Sequence, residues 1–166
     1  MADHVDPLSR SRMMARVKGK DTKPEKVVRS ILHRMGYRFR LHRKDLPGKP
    51  DIVLPRHKKI IFVHGCFWHG HEGCSRARRP STNESFWNTK LNRNQKRDLD
   101  NQEILRRSGW KILILWECQI KDIENTVIIL ERFLNGDVEA NTSPLKHFVG
   151  YQESLPWKTL RRCPGK

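Results

Sequence analysis

No run of apolar residues in this chain approaches the length of a signal-peptide core or a membrane span, and its first residues are polar. The expectation is a protein that stays in the cytoplasm, where thiols remain reduced. Cysteine is scarce: Cys66, Cys74, Cys118 and Cys163 are the four, and in that compartment they read as metal ligands or free thiols rather than disulfides. Acidic residues are few as well. Eighteen Asp and Glu stand against 34 Lys and Arg, a formal net charge of +16. No internal repeat, low-complexity segment or basic amphipathic helix with a wide apolar face is found, so a membrane surface is a poor partner. The charge favours a polyanion, with counterion release from nucleic acid supplying affinity. Composition alone also fits a merely soluble basic protein.

At 166 residues the chain is long enough for one domain with a real core. Residues 1–20 form a basic arm without periodicity, expected to settle on phosphates. Residues 21–135 carry the folded domain. Residues 136–166, broken by Pro144, Pro156 and Pro164, read as a tail in which Cys163 is a bystander. Thr22-Lys-Pro-Glu25 is a helix start with a capping box, and Val27, Val28, Ile31, Leu32 and Met35 repeat at helical spacing until Gly36. Tyr37–Leu41 alternates apolar with basic residues as a half-exposed strand does. Asp51–Leu54 and Ile60–His64 follow as strands across turns. A long helix is expected over Ser85–Arg107, with Trp87, Leu91, Asn94 and Asp98 on one face. Trp110–Trp116 has the continuous apolar look of a strand buried on both faces, and Val127–Leu134 is a last amphipathic helix. Three strands, a helical crossover and a further strand predict an α/β fold with a mixed central sheet flanked by helices.

The densest chemistry lies just after the third strand. His64, Cys66, Phe67, Trp68, His69, His71 and Cys74 fall within eleven residues, with Gly65, Gly70 and Gly73 bending a loop between them. Cys66, His71 and Cys74, joined by Cys118 from the end of the neighbouring strand, make up a donor set for a closed tetrahedral zinc site. Cys118 reads equally well as an ordinary buried cysteine. A zinc deaminase does not fit, because the Pro-Cys-x-x-Cys half of its signature is missing.

Pro50-Asp51 resembles the first half of the Pro-Asp…(Asp/Glu)-x-Lys pattern of restriction-type nucleases, where a carboxylate holds Mg²⁺ against the scissile phosphate. The second half is absent, and for a lone Pro-Asp turn chemistry is the better explanation on its own. His69 is the best candidate for general base, and Asp98 could orient it, against the plainer reading of a helix-surface ion pair. Glu25 belongs to the capping box and could also accept from a metal-bound water. Phe67 and Trp68 could wedge between base pairs, with Trp87 joining them or packing beneath. The plainer reading of these aromatics is core.

Together these residues closely resemble the very short patch repair (Vsr) endonucleases. The likeness runs over roughly residues 9–134. It is carried by Arg10-Ser with Met14, Asp21-Thr22 with Glu25, Leu46-Pro-Gly-Lys-Pro-Asp51 and Phe62-Val-His-Gly-Cys-Phe-Trp-His69. Phe86-Trp87, Arg97-Asp98, Gly109-Trp110 and Trp116-Glu-Cys118 complete it. The resemblance implies a restriction-endonuclease-like core with a structural zinc, and an enzyme that nicks one strand beside the thymine of a T·G mismatch left by 5-methylcytosine deamination. It implies Asp51 as the Mg²⁺ carboxylate with the Val63 carbonyl, His69 as base, Asp98 as its orienter, and His64 and Glu25 around metal-bound water. Cys66, His71, Cys74 and Cys118 become the zinc ligands, and Phe67, Trp68 and Trp87 the intercalating wedge. The implied setting is a bacterial cytoplasm, on DNA, as a monomer linked to a cytosine-5 DNA methyltransferase. Val63 stands where the family pattern has a threonine, and the loop Gly70–Cys74 is one residue longer. The rival readings are a restriction-type endonuclease on paired DNA and a non-catalytic zinc-stabilised DNA-binding module.

Overall fold

A computed structural model describes residues 6, 8, 9, 12, 15 and 19–136. Most of the basic arm, the tail beyond Gly136 and Cys163 lie outside the described residues. The first helix, α1 (Lys23–Arg34), starts as its sequence dictates: Thr22 caps it, and the Glu25 side chain closes the capping box. Three strands follow, β1 (Arg40–Leu41), β2 (Ile52–Leu54) and β3 (Lys59–His64). Then come a single helical turn, α2 (Cys66–His69), the long α3 (Glu84–Arg107), β4 (Lys111–Trp116) and α4 (Ile123–Asn135). The sheet order is β1-β2-β3-β4; the first two pairings are antiparallel, whereas β3 and β4 run parallel across the α3 crossover. This is the mixed α/β sheet expected from the order of elements.

Alternation along the strands divides the core. Ile52, Leu54, Ile61, Leu113 and Leu115 face α1 and α4, packing on Val28, Leu32, Leu130 and Phe133. Val53, Ile60, Phe62 and Ile112 face the other way, onto Leu105 of α3. Buried Lys59 donates from Nζ to the carbonyl of Leu134 at 2.6 Å, placing a cation at the C-terminal end of α4 and tying that helix to the start of β3. Among the described residues no helix is long and apolar enough to cross a membrane.

Two expectations are corrected. The strand expected at Tyr37–Leu41 forms only at Arg40–Leu41. In the register Arg40↔Val53 its earlier residues run out along β2 toward Pro55, which has no N–H to give a ladder. The segment expected as a bent loop begins with the helical turn α2, entered through Gly65 and ended by Gly70 at φ +64°. That conformation favours glycine, and a Cβ there would also displace the end of the Gln95 side chain, whose Nε2 it would approach to 2.0 Å.

Candidate active site

Because β3 and β4 run parallel, His64 lies opposite Trp116 and both strands deliver their last residues to one edge of the sheet. The start of α1, the loop before β2, α2 and the inner face of α3 close around that edge. They form a cleft of about 1640 Å³ lined by Glu25, His42, Asp51, His64, His69 and Asp98, among others.

Asp51 stands at the mouth of β2. Its Oδ2 accepts from the Val63 N–H at 2.8 Å, so the tip of β3 fixes the carboxylate. Burial pushes the Asp51 carboxyl up to about 6, with the nearby Glu25 charge adding to it and the Val63 N–H, His42 and His69 opposing. Among the described residues its one ion-pair contact is His42 Nδ1, 4.0 Å from Oδ1. A half-buried carboxylate without a Lys or Arg partner suits a hard divalent cation. Glu25, 2% exposed, accepts from the backbone N–H groups of Asp21 and Thr22, the Thr22 hydroxyl and Arg29 Nη2. The cap reading of Glu25 is therefore realised, and its charge still reaches Asp51.

His69, at the end of α2, meets Asp98 of α3: Nδ1 and Oδ2 are 2.5 Å apart. The helix face read from the sequence brings Asp98 here. Burial is the largest single effect and works to raise the Asp98 carboxyl, but the bond to His69 and the charges of His69, His64 and Arg97 together outweigh it and hold the group below the ordinary range. An ionised Asp98 keeps the proton on Nδ1, leaving Nε2 as the free lone pair. His64 stacks on His69 with ring centroids 3.9 Å apart and planes at 13°. Burial, then the neighbouring imidazole, drives His64 down to about 3, so it is neutral at working pH. Asn94 Nδ2 donates to the Trp68 carbonyl at 3.3 Å and Gln95 Nε2 to the Gly70 carbonyl at 3.3 Å. Both brace α2 from α3.

The ligand atoms of Cys66, His71, Cys74 and Cys118 all lie within 4.8 Å of one another. His71 Nδ1 is 3.6 Å from Cys66 Sγ and 3.3 Å from Cys118 Sγ. A tetrahedral ion at ordinary Zn–S and Zn–N lengths separates such ligands by about 3.6 Å, so the donor set fits zinc in chemistry and spacing. Burial pushes the Cys66 thiol up to about 12, with the Cys118 and Cys74 sulfurs adding to that against a backbone N–H of Cys118. A cation among the sulfurs removes that penalty. Trp116 stacks on His71 at 4.2 Å and meets His64 edge-on at 5.4 Å, joining this cluster to the His64–His69 pair.

Phe67 and Trp68 are both half-buried, and Trp68 lines the cleft. Trp87, only 8% exposed, packs beneath them, 5.4 Å from Phe67 and 6.2 Å from Trp68. Phe86 is open to solvent, and Lys90 Nζ lies about 5.5 Å from the Trp68, Phe86 and Trp87 rings. The sequence reading missed Lys90, Arg29, His42 and the link through Trp116. Only Lys90 carries a local signal, as a cation one helical turn after two aromatics.

The family model described as DNA mismatch endonuclease Vsr matches residues 2–76. The chain is 47% identical over 123 residues to the type II nicking enzyme V.XorIIP of Xanthomonas oryzae pv. oryzae, covering 74% of this chain and 90% of that one. It is 41% identical over 132 residues to the type II nicking enzyme V.NmeAIP of Neisseria meningitidis, at 80% and 91% coverage. To the DNA mismatch endonuclease Vsr of Escherichia coli it is 40% identical over 124 residues, at 75% and 79% coverage.

Proposed function

Since the chain belongs to the DNA mismatch endonuclease Vsr family and is a DNA endonuclease, we propose that it nicks one strand beside the thymine of a T·G mismatch. Family membership sets aside the non-catalytic binding module. The observation that carries the proposal is the convergence of the His69–Asp98 pair, neutral His64 and half-buried Asp51 in one cleft beneath an aromatic rim. The relatives described as nicking enzymes support cutting of a single strand. The aromatic rim favours a weakened base pair over paired DNA, because unstacking costs least at a mismatch.

In this reading Asp51 and the Val63 carbonyl hold Mg²⁺, which when bound offsets phosphate charge and stabilises the leaving oxygen. His69 Nε2 takes the proton of the attacking water as the new P–O bond forms and the bond to the leaving sugar oxygen breaks. Asp98 holds the ring and compensates the imidazolium. His64, kept neutral by burial, lets His69 take a positive charge beside it, and Glu25 flanks the water. Phe67 and Trp68 enter the base stack, and Trp87 supports them from below. Cys66, His71, Cys74 and Cys118 hold a structural Zn²⁺ that keeps α2 rigid, on a restriction-endonuclease-like core. The enzyme acts as a monomer in the bacterial cytoplasm, alongside a cytosine-5 DNA methyltransferase that shares its target sequence.

A strand-resolved nicking assay with Mg²⁺ tests this on duplexes with one T·G mismatch in varied flanks, against fully paired controls. The expected result is a single nick beside the thymine, lost with EDTA and in Asp51→Asn. Equal cutting of both strands of paired DNA would sink the mismatch reading.

A further inference from the structure

The loop between β1 and β2 carries a side chain that the mechanism leaves unused. His42 lies in the left-handed region, φ +46°, as does Asp21 at φ +55°. For non-glycine residues this conformation is strained and persists where surrounding contacts hold it. The two bends converge on Arg29 of α1. Its Nη1 donates to Asp21 Oδ1 at 2.6 Å, its Nη2 donates to Glu25 Oε2 at 2.6 Å, and Nη2 also lies 2.9 Å from His42 Nε2. The Arg29 side chain is 14% exposed.

A guanidinium has only donors and does not lose its proton. Nε2 of His42 must therefore be the acceptor in that contact, which assigns the imidazole proton to Nδ1. Nδ1 is the atom that faces Asp51, 4.0 Å from Oδ1, while Oδ2 of the same carboxylate is held by Val63. Asp21 Oδ1 and Glu25 Oε2 lie 3.5 and 3.6 Å from Nε2, but Arg29 is closer to both, at 2.6 Å from each. The His42 backbone N–H, 3.5 Å from the Asp51 carbonyl, ties the same two residues through the main chain.

We infer that His42 is a positioning residue for Asp51, its imidazole locked by Arg29 in the Nδ1–H tautomer so that a donor confronts the carboxylate oxygen that Val63 leaves free. The inference rests on Asp51 as the carboxylate of the cutting site. Arg29 and His42 then form one device: the arginine fixes the proton, and the histidine aims it. The 4.0 Å gap is longer than a hydrogen bond, so the contact closes through a small ring movement or one bridging water.

The test reads the tautomer and the kinetics of the full-length chain. Long-range ¹H–¹⁵N correlation of the histidine side chains should show His42 as Nδ1–H in the wild type, shifting towards Nε2–H in Arg29→Met. His42→Leu should lower kcat by about 10–100-fold, the usual range for a residue orienting a ligand carboxylate, with KM for DNA within about twofold. His42→Gln, whose carboxamide offers both an acceptor and a donor, should recover most of that loss. A doubly protonated or Nε2–H His42 in the wild type overturns the inference. So does a His42→Gln variant as slow as a folded His42→Leu. Asp51→Asn separates the two levels: if it still nicks, the reading of Asp51 fails; if it is dead while His42→Leu cuts at the wild-type rate, only the role of His42 fails.

Discussion

Asp51 and His64 sit in the same cleft and burial moves them in opposite directions along the pH scale. Burial favours the neutral form of each, which raises an acid and lowers a base. For Asp51, raised from 3.8 to about 6, the folded state holds more protons than the unfolded chain between those two values. Stability contributed by this group therefore falls as pH rises through that window, and the penalty is complete above about 6. At ~1.4 kcal/mol per pH unit it reaches at most about 3 kcal/mol. Asp51→Asn keeps the shape and removes the charge. In buffer without divalent cations it should be more stable than the wild type at pH 7.5 by about 1–3 kcal/mol, and equal to it at pH 3.5. Urea unfolding at the two pH values decides; a variant less stable at pH 7.5 but equal at pH 3.5 would show that the Val63 N–H bond to the charged oxygen outweighs desolvation. His64, lowered to about 3, contributes with the opposite slope, its stability complete above 6.5 and lost as pH falls. Not every residue of this site was open to sequence reading. His69 and Asp98 could be paired because helical spacing places Asp98 on the face of Trp87 and Leu91. His42 could not, because a histidine amid basic residues carries no periodic signal and its partner Arg29 reads as a solvated helix position.

Between elements, the Cys/His cluster joins pieces that share few other contacts. Cys66 opens α2, His71 and Cys74 lie in the following turn, and Cys118 comes two residues after β4. Chain continuity explains three of the four. The fourth arrives because β3 and β4 are parallel and in register to their last residues, His64 against Trp116, which the two apolar runs suggested. The helical turn at Cys66–His69 was hidden, for four residues between glycines are too few to show a 3.6-residue period. The strand at Tyr37–Phe39 was over-read for the converse reason. Its alternation is real, yet a ladder needs a partner strand, and β2 gives way to Pro55. If the cluster is a metal staple, protein purified without chelator should carry about one Zn²⁺ per chain by elemental analysis. Cys118→Ser should lose that metal and unfold about 5–10 °C lower, as a loss of roughly 2 kcal/mol produces in a domain of this size. Full retention of the wild-type midpoint in a metal-free Cys118→Ser protein would leave Cys118 as a packing residue.

Across the whole molecule the formal charge of +16 acquires a direction. Lys20, Lys44, Lys49, Lys90 and Arg97 line the cleft together with the acids Glu25, Asp51, Asp98 and Glu117, so cations stand within reach of a phosphodiester bound at the proposed site. Each cation that meets a phosphate releases counterions and adds about 0.9 to the slope of log affinity against log salt on duplex DNA. Five such contacts give a slope of about 4.5, and basic residues elsewhere on the chain can only steepen it. Binding should be measured without divalent cations, so that nothing is cut, on paired duplex from 50 to 200 mM salt. Lys44→Gln with Lys49→Gln should flatten the slope by about 2 and weaken matched and T·G duplexes alike, because phosphate contacts position the DNA and carry no base information. Phe67→Ala should do the reverse, leaving the slope unchanged while removing the preference for the mismatch. A double lysine variant that kept the full slope would move the DNA track off this cleft, and the residues gathered around Asp51 would need another substrate path.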